Sequence, residues 1–513
     1  MAQNQQQQQQ QQWRTPLYDA LAQHARSNPV SFHVPGHHQG EALQYGLEKA
    51  GQHKSGIEDC FAPLLALDVT ELSSTDDLHH PEASIQEAQR LAAACFGSED
   101  TYFLVGGSTS GNLALILTVC QPGDTIIVQR NVHKSIINGL RLAGAKAVFL
   151  YPEYEPHTQL ATIPSIQQVE EALMMVPEAK AVFLSTPNYY GMSVRLDDYI
   201  ARCRSAGIPL LVDEAHGAHY GFHPQLPTSA IQAGADAVVQ STHKTLPAMT
   251  MGAMLHVQGQ RIDRERLRET LAMLQSSSPS FPILASLDIA RAIVQSAGEA
   301  LYQESIEAVQ QFRRWLQGSS LRWTMPGQGA SDECAHSAIA YDPLRILLTD
   351  GTGALSGYEL QQELERHGCY AELADPQYVL LVVGPHAGRE ALPRLKEALV
   401  HIHSSVAPST GVAATNPAQA VKADAAISRS ELVSFTRSTR ASKQRVKLLG
   451  ALNQLSGEMV VPYPPGIPVL YTGERISSEH IAHIERLARS GARFQGAKDE
   501  AMETIAIIIE EKC

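Results

Sequence analysis

Three short segments combine residue types that could bind an anion, hold a charge and make a covalent bond. Gly106-Gly107-Ser108-Thr109-Ser110-Gly111-Asn112 follows an apolar stretch and precedes a helix-like one. Its glycines let backbone approach an anion, the amides of a helix start point at it, and hydroxyls add donors. No lysine closes the loop as a nucleotide-binding P-loop requires, and a plain connector has a similar composition. Leu210-Leu211-Val212-Asp213-Glu214-Ala215-His216-Gly217-Ala218-His219 places an acid at the end of an apolar strand, where ligands of α/β sheets gather. Asp213 could instead cap a helix, or join His216 and His219 around a metal. Gln240-Ser241-Thr242-His243-Lys244-Thr245 puts a lysine at the next strand end, 31 residues beyond Asp213. Most lysines are solvated charges, but one flanked by Ser241 and His243 near an anion site is placed for covalent catalysis.

These segments need a scaffold of buried strand ends. Apolar runs at 125–128, 147–150, 181–184, 209–212, 237–239 and 253–257 alternate with helix-like stretches, which predicts a parallel or mostly parallel α/β sheet. Ser84 with Glu87 reads as a capping box, followed by Ile85, Ala88, Leu91, Ala92 and Cys95 at helical spacing before Gly97. A glutamine run opens the chain and predicts a disordered tail over 1–12. Residues 405–430, rich in Ala, Ser, Thr and Pro, read as a linker. The Pro462-Tyr463-Pro464-Pro465-Gly466-Ile467-Pro468 segment must be a shaped loop, because its prolines lack amide donors.

With 513 residues the chain has room for two or three domains, and 44% hydrophobic with 18% charged residues suits a globular protein. The formal net charge of -13 opposes attraction to nucleic acid or anionic membranes and suits a small cationic substrate. Seven scattered cysteines form no C-x-x-C pair, suggesting neither a disulfide framework nor a zinc ribbon, and no metal is expected. Nothing approaches the roughly 20 apolar residues of a membrane span, nor does a secretory signal pattern open the chain. The cytoplasm is the expected compartment.

A hydroxyl-rich loop, an acid at one strand end and a lysine at the next match the order needed to hold pyridoxal phosphate. At this point the sequence resembles the fold type I pyridoxal phosphate enzymes, and within them the ornithine/lysine/arginine decarboxylases, from about Phe32 to the C-terminus. The resemblance rests also on Arg130-Asn131-Val132-His133-Lys134-Ser135, Pro187-Asn188-Tyr189-Tyr190-Gly191, Ser278-Pro279-Ser280 with Ala285-Ser286-Leu287-Asp288, and the 462–468 loop. It implies that His133 stacks on the pyridine ring, Asp213 pairs with the ring nitrogen and Lys244 forms the Schiff base. Ser108, Thr109, Ser110, Ser241 and His243 should surround the phosphate, with Ala215 and His216 also against the cofactor, and His243 joins Lys244, His133 and Asp213 as an expected catalytic residue. Ser277, or Ser276, should reach a neighbouring subunit's phosphate, making a homodimer or higher oligomer with shared active sites. Structurally plainer roles are a capped loop histidine for His133, and a helix start for Ser276 or Ser277.

The implied architecture is a fold type I, transferase-like large domain with a mostly parallel sheet, plus smaller α+β C-terminal domains. The expected segments are an arm over 13–76, the large domain over 77–320, a small domain over 321–404, and a C-terminal domain over 431–513. A separate N-terminal receiver-like domain is not expected, since family motifs begin by Phe32. The implied activity is decarboxylation of a basic amino acid, leaning to arginine. Transamination or β-elimination shares the same cofactor residues, with Arg389 or Arg394 as carboxylate holders. A noncatalytic cofactor-binding regulator is disfavoured by the joint presence of Lys244, Asp213 and His133. Two departures bear on substrate choice: Pro35-Gly36-His37-His38 where the family commonly has Pro-Gly-His-Lys, and Ser73-Ser74-Thr75-Asp76-Asp77 where it commonly has Pro-Gly-Leu-Asp-Asp.

Overall fold

The computed structural model describes residues 13–51, 55–327, 339–386, 388, 390–406, 429–435, 442–463, 467–489 and 491–509. The expected tail at 1–12, most of the expected linker, Arg389 and the Pro464-Pro465-Gly466 part of the proline loop lie outside the described residues. The chain divides into two compact units. One comprises the described residues within Met1–Val119, Leu211–Phe222 and Thr228–Gly298, and the other those within Cys120–Leu210, His223–Pro227 and Glu299–Cys513.

The strands, in chain order, are β1 (Asp100–Leu104), β2 (Thr125–Gln129), β3 (Lys146–Leu150), β4 (Val182–Ser185), β5 (Met192–Val194), β6 (Leu210–Asp213), β7 (Ala237–Gln240) and β8 (Ala253–Val257). All six apolar runs form strands close to their expected bounds. In the first unit the order is β1-β8-β7-β6. β6 and β7 are parallel, with Asp213 opposite Val239, while β8 runs antiparallel to both β7 and β1. Every residue of β6, β7 and β8 is buried, which explains their continuous apolar character. Because β6 and β7 run the same way in register, the segments carrying Asp213 and Lys244 leave the sheet at the same edge.

The helix Gly107–Val119 lies tight against these strands. A Cβ on Gly111 would sit 2.8 Å from Leu104 Cδ1 and 2.9 Å from Val239 Cγ1, so glycine is what permits the close packing. The arm helix Pro16–Arg26 docks through buried Leu17 and Leu21, and the Leu17 N–H donates to Asp288 Oδ2 at 3.0 Å. Asp288 is itself paired with buried Arg291.

The helix Ser84–Phe96 forms and ends at left-handed Gly97, as expected, but its cap differs from the capping box read from the sequence. The Ser84 hydroxyl donates to the Thr75 carbonyl, and Asp76 accepts from the N–H groups of Glu82, Ala83 and Ile85 at 2.9–3.0 Å. Burial pushes the Asp76 carboxyl up, yet those amide bonds outweigh it and hold the pKa below the usual value. The Ser73-Ser74-Thr75 departure forms the turn presenting this cap, with Thr75 Oγ1 donating to the Thr70 carbonyl and accepting from Leu72 N–H. A distant acid, not the nearest serine, supplied the better acceptor.

In the second unit β2 pairs in parallel with β3 and with β4, and the strand Arg429–Ser434 adds antiparallel to β3. A small antiparallel sheet joins Leu373–Ala374, Val379–Val382, Arg345–Asp350 and Trp323–Thr324 in that order. Toward the C-terminus, Lys443–Lys447 pairs with Thr504–Ile508. A core including Leu448, Val460, Leu470, Ile476, Ile484 and Ile505 packs there, with the helix Ser478–Arg489 contributing Ile484.

Candidate cofactor site and family

The anion cradle is built at the start of the Gly107–Val119 helix. Gly107 takes a φ of +70° and donates its N–H to the Met251 carbonyl at 2.8 Å, turning the chain from β1 into the helix. Ser108 Oγ accepts from Ser241 Oγ at 2.8 Å, bringing together hydroxyls from two segments 133 residues apart. Thr109 is exposed, whereas Ser110 is buried and donates back to the Gly107 carbonyl at 2.8 Å. A Cβ at Gly106 would press on Ser110 Cβ and Oγ at 3.2 Å, so the cradle leaves no slack there for a side chain.

At the end of β6, Asp213 is buried, with Oδ2 accepting from Asn112 Nδ2 at 2.8 Å and Oδ1 from Ala215 N–H at 3.1 Å. The loop after it is buried throughout, Ala215 and His216 included. Asn112 was absent from the expected site residues, although it closes the cradle motif. The available signal was its position: one turn into the helix, an amide would face the sheet among apolar neighbours. Glu214 points elsewhere, accepting from Ser229 Oγ, Ala230 N–H and Gln240 Nε2 at 2.7–2.9 Å. Burial pushes its pKa up to about 7, against those three donors, with the neighbouring Asp213 charge adding to the rise. Gln240 in turn accepts from His256, whose burial lowers its pKa to about 3, so a neutral imidazole completes the network.

Lys244 lies in the one-turn helix Thr242–Thr245 that follows β7, and its Nζ donates to His216 Nε2 at 3.0 Å. This bond links the segments that leave the two strand ends. His243 instead turns its Nδ1 to the Gly252 carbonyl at 2.9 Å, which makes that nitrogen the donor. Asp213, Ala215, His216, Ser241, His243, Lys244 and the Ser108–Ser110 loop thus all belong to the first unit.

His133 belongs to the second unit, where it caps the helix Lys134–Ala143: its Nδ1 accepts from Ser135 N–H at 3.2 Å. The ring is half-buried and serves as the cap of that helix. Ser276 and Ser277 do not begin a helix. Both are exposed in the loop between Arg264–Leu274 and Phe281–Ala297, where the Ser276 carbonyl accepts from His79 Nε2 at 2.9 Å. Asp213 and His216 are engaged as described and His219 packs on Tyr220, and among the described residues no group of three or more acids, histidines or cysteines converges for a metal. Likewise, among the described residues no helix is long and apolar enough to cross a membrane.

The donor chemistry fits pyridoxal phosphate. Hydroxyls and helix-start amides suit a phosphate, a carboxylate suits a protonated ring nitrogen, and an amine suits an aldehyde. An α/β sheet presenting these groups from adjacent strand ends defines a fold type I pyridoxal phosphate enzyme. Solved structures agree on the fold: lysine decarboxylase LdcF of Francisella novicida matches with a TM-score of 0.80 over 97% of this chain and 81% of that one, at 20% identity. The constitutive lysine decarboxylase of E. coli matches with a TM-score of 0.77 over 97% and 82%, also at 20% identity.

The sequence comparisons narrow the class. Residues 15–391 match the Orn/Lys/Arg decarboxylase major domain, and residues 415–502 match the C-terminal domain of the same enzymes. The chain belongs to the Orn/Lys/Arg decarboxylase family. Among its relatives are the uncharacterized protein YaaO of Bacillus subtilis, 42% identical over 97% of this chain and 99% of that one, and an arginine decarboxylase of Bacillus anthracis, 32% identical over 98% of each.

Proposed function

We propose that this chain decarboxylates arginine, releasing carbon dioxide and agmatine, with lysine and ornithine as poorer substrates. The observation that carries the decarboxylase reading is the match of residues 15–391 to the Orn/Lys/Arg decarboxylase major domain, and the strand ends of one unit, with Asp213 held by Asn112 and Lys244 by His216, support the cofactor site that such chemistry needs. The preference for arginine is supported by relatives named arginine decarboxylase at 31–33% identity over nearly their whole length, whereas those named lysine decarboxylase fall to 24–27%.

When bound, pyridoxal phosphate supplies an electron sink for the charge left on the α-carbon as carbon dioxide departs. The Asp213 carboxylate, fixed by an amide and a backbone N–H, keeps the ring nitrogen protonated. Ser108 and Ser241, with the amides at the start of Gly107–Val119, bind the phosphate, and Ser110 stiffens that loop from inside. Lys244 provides the amine that holds the cofactor, while His216 moves protons to and from that amine at Nε2. His133 contributes its ring face to the pyridine, with its backbone secured as a helix cap. Ala215, small and buried, leaves room beside Asp213 for a flat ring.

A homodimer is part of this reading. Phe32, Val30 and Val34 of the arm are 93%, 80% and 65% exposed, unusual for large apolar side chains in one short stretch and suited to cover by a second copy. The exposed Ser276–Ser277 loop is available to complete a neighbour's phosphate site. The enzyme would work in the cytoplasm, supplying amine for polyamine biosynthesis. Incubating the purified protein with pyridoxal phosphate and, separately, arginine, lysine and ornithine tests the reading. Agmatine and carbon dioxide are expected from arginine at the highest kcat/KM. A keto acid would establish transamination instead.

A further inference from the structure

Arg130 begins the segment that leaves β2, three residues before His133, and its charged side chain is buried. A buried guanidinium persists only where its charge and donors are met. Here the C-terminal part of the same unit meets them. Nη2 donates to Glu474 Oε2 at 2.8 Å, to Glu474 Oε1 at 3.1 Å and to the Val469 carbonyl at 3.0 Å, and the guanidinium carbon lies 3.7 Å from the centre of the Tyr471 ring. The Tyr471 hydroxyl returns a hydrogen bond to the backbone carbonyl of Arg130, and the Tyr471 N–H donates to Glu474 at 2.9 Å. On the other side of His133, Lys134 Nζ donates to Gln495 Oε1 at 2.9 Å.

The chain is therefore gripped before and after His133 by residues that lie more than 300 positions later. Anchoring a C-terminal region would need only surface contacts. This grip instead takes hold of a backbone carbonyl and a buried charge at the entry to the helix that His133 caps.

We propose that Arg130, Tyr471 and Glu474 are positioning residues for the cofactor: the C-terminal region sets the placement of His133 and, through it, the affinity for the pyridine ring. This rests on the reading that His133 touches that ring. Loss of the Glu474 charge strands the Arg130 guanidinium and frees the 130–134 segment, while loss of the Tyr471 hydroxyl releases only the Arg130 carbonyl.

The test is titration of the full-length apoprotein with pyridoxal phosphate, followed by visible absorbance and circular dichroism. The variants are Glu474→Gln, Tyr471→Phe and His133→Ala, together with each of the first two combined with His133→Ala. Glu474→Gln is expected to raise Kd roughly tenfold and Tyr471→Phe by less, with no further rise once His133 is removed, as coupled residues require. Tyr471→Phe keeps the ring beneath the guanidinium, so it remains informative if Glu474→Gln misfolds. A lowered Tm with unchanged Kd would overturn the proposal, as would the same rise in Kd with and without His133. Failure of His133→Ala alone to change Kd would remove its ring contact and this inference with it. Absence of saturable binding by the unaltered protein would sink the cofactor reading itself.

Discussion

The two regions expected to meet the cofactor are built in opposite ways. Lys244, Asp213 and the Ser108–Ser241 pair stand on strand ends of one unit, tied to one another by short polar bonds. His133 stands on a loop whose geometry is dictated from the far end of the chain, through Glu474, Tyr471 and Gln495. The first arrangement makes chemistry depend on few residues, each with a large effect. The second spreads placement over a buried network, so single changes should be graded and coupled.

Breaking the first region should cost most. Lys244→Ala is expected to lower kcat/KM for arginine by about 10⁴-fold or more, read as agmatine formed, since no other amine takes its place in the covalent role. Next comes Asp213→Asn, which keeps shape but removes the charge and should cost on the order of 10²–10³-fold in kcat. Asn112→Ala leaves Asp213 in place and removes one of its donors. A loss of roughly 10–100-fold is expected, the range for groups that orient a functional residue, and equal activity would show that Asn112 only packs.

Glu214 sharpens the comparison with the smallest effect. Its pKa in the folded protein is raised from 4.5 to about 7, so the folded state holds this proton more firmly than the unfolded chain. Its contribution to stability is therefore fully present below about pH 4.5 and is lost as pH rises through about 7. Denaturant midpoints measured from pH 5 to 8 should show this decline in the unaltered protein and a flatter profile in Glu214→Gln. Identical profiles would remove Glu214 from the account.

The same contrast decides how much was legible in the sequence. The strand carrying Asp213 and the strand preceding Lys244 announce themselves because they are buried on both faces, one unbroken apolar run stopping at Asp213 and the other at Gln240, four residues before Lys244. Gly111 shows why the cradle loop is so rich in glycine: any Cβ there would collide with β1 and β7. Local reading failed where a competing partner came from elsewhere. Ser84 had the right spacing for a capping box, but Asp76, from a preceding turn, took amides around the helix start, those of Ala83 and Ile85. Asn112 was quoted within the loop yet not assigned, because its partner Asp213 is 101 residues away. The grip on Arg130 was invisible for the same reason, since no periodicity or motif encodes a bond to Glu474. Of the two departures from the family pattern, the turn before Asp76 has a structural use in this chain, and His38 bonds locally to Ser31.

The central claim is that the amine of Lys244 carries the cofactor. Reduction of the cofactor-loaded protein with borohydride, digestion and mass mapping should find the pyridoxyl group on the peptide containing Lys244, with no label in Lys244→Ala. A label on a different lysine, or none on the unaltered protein, would contradict it.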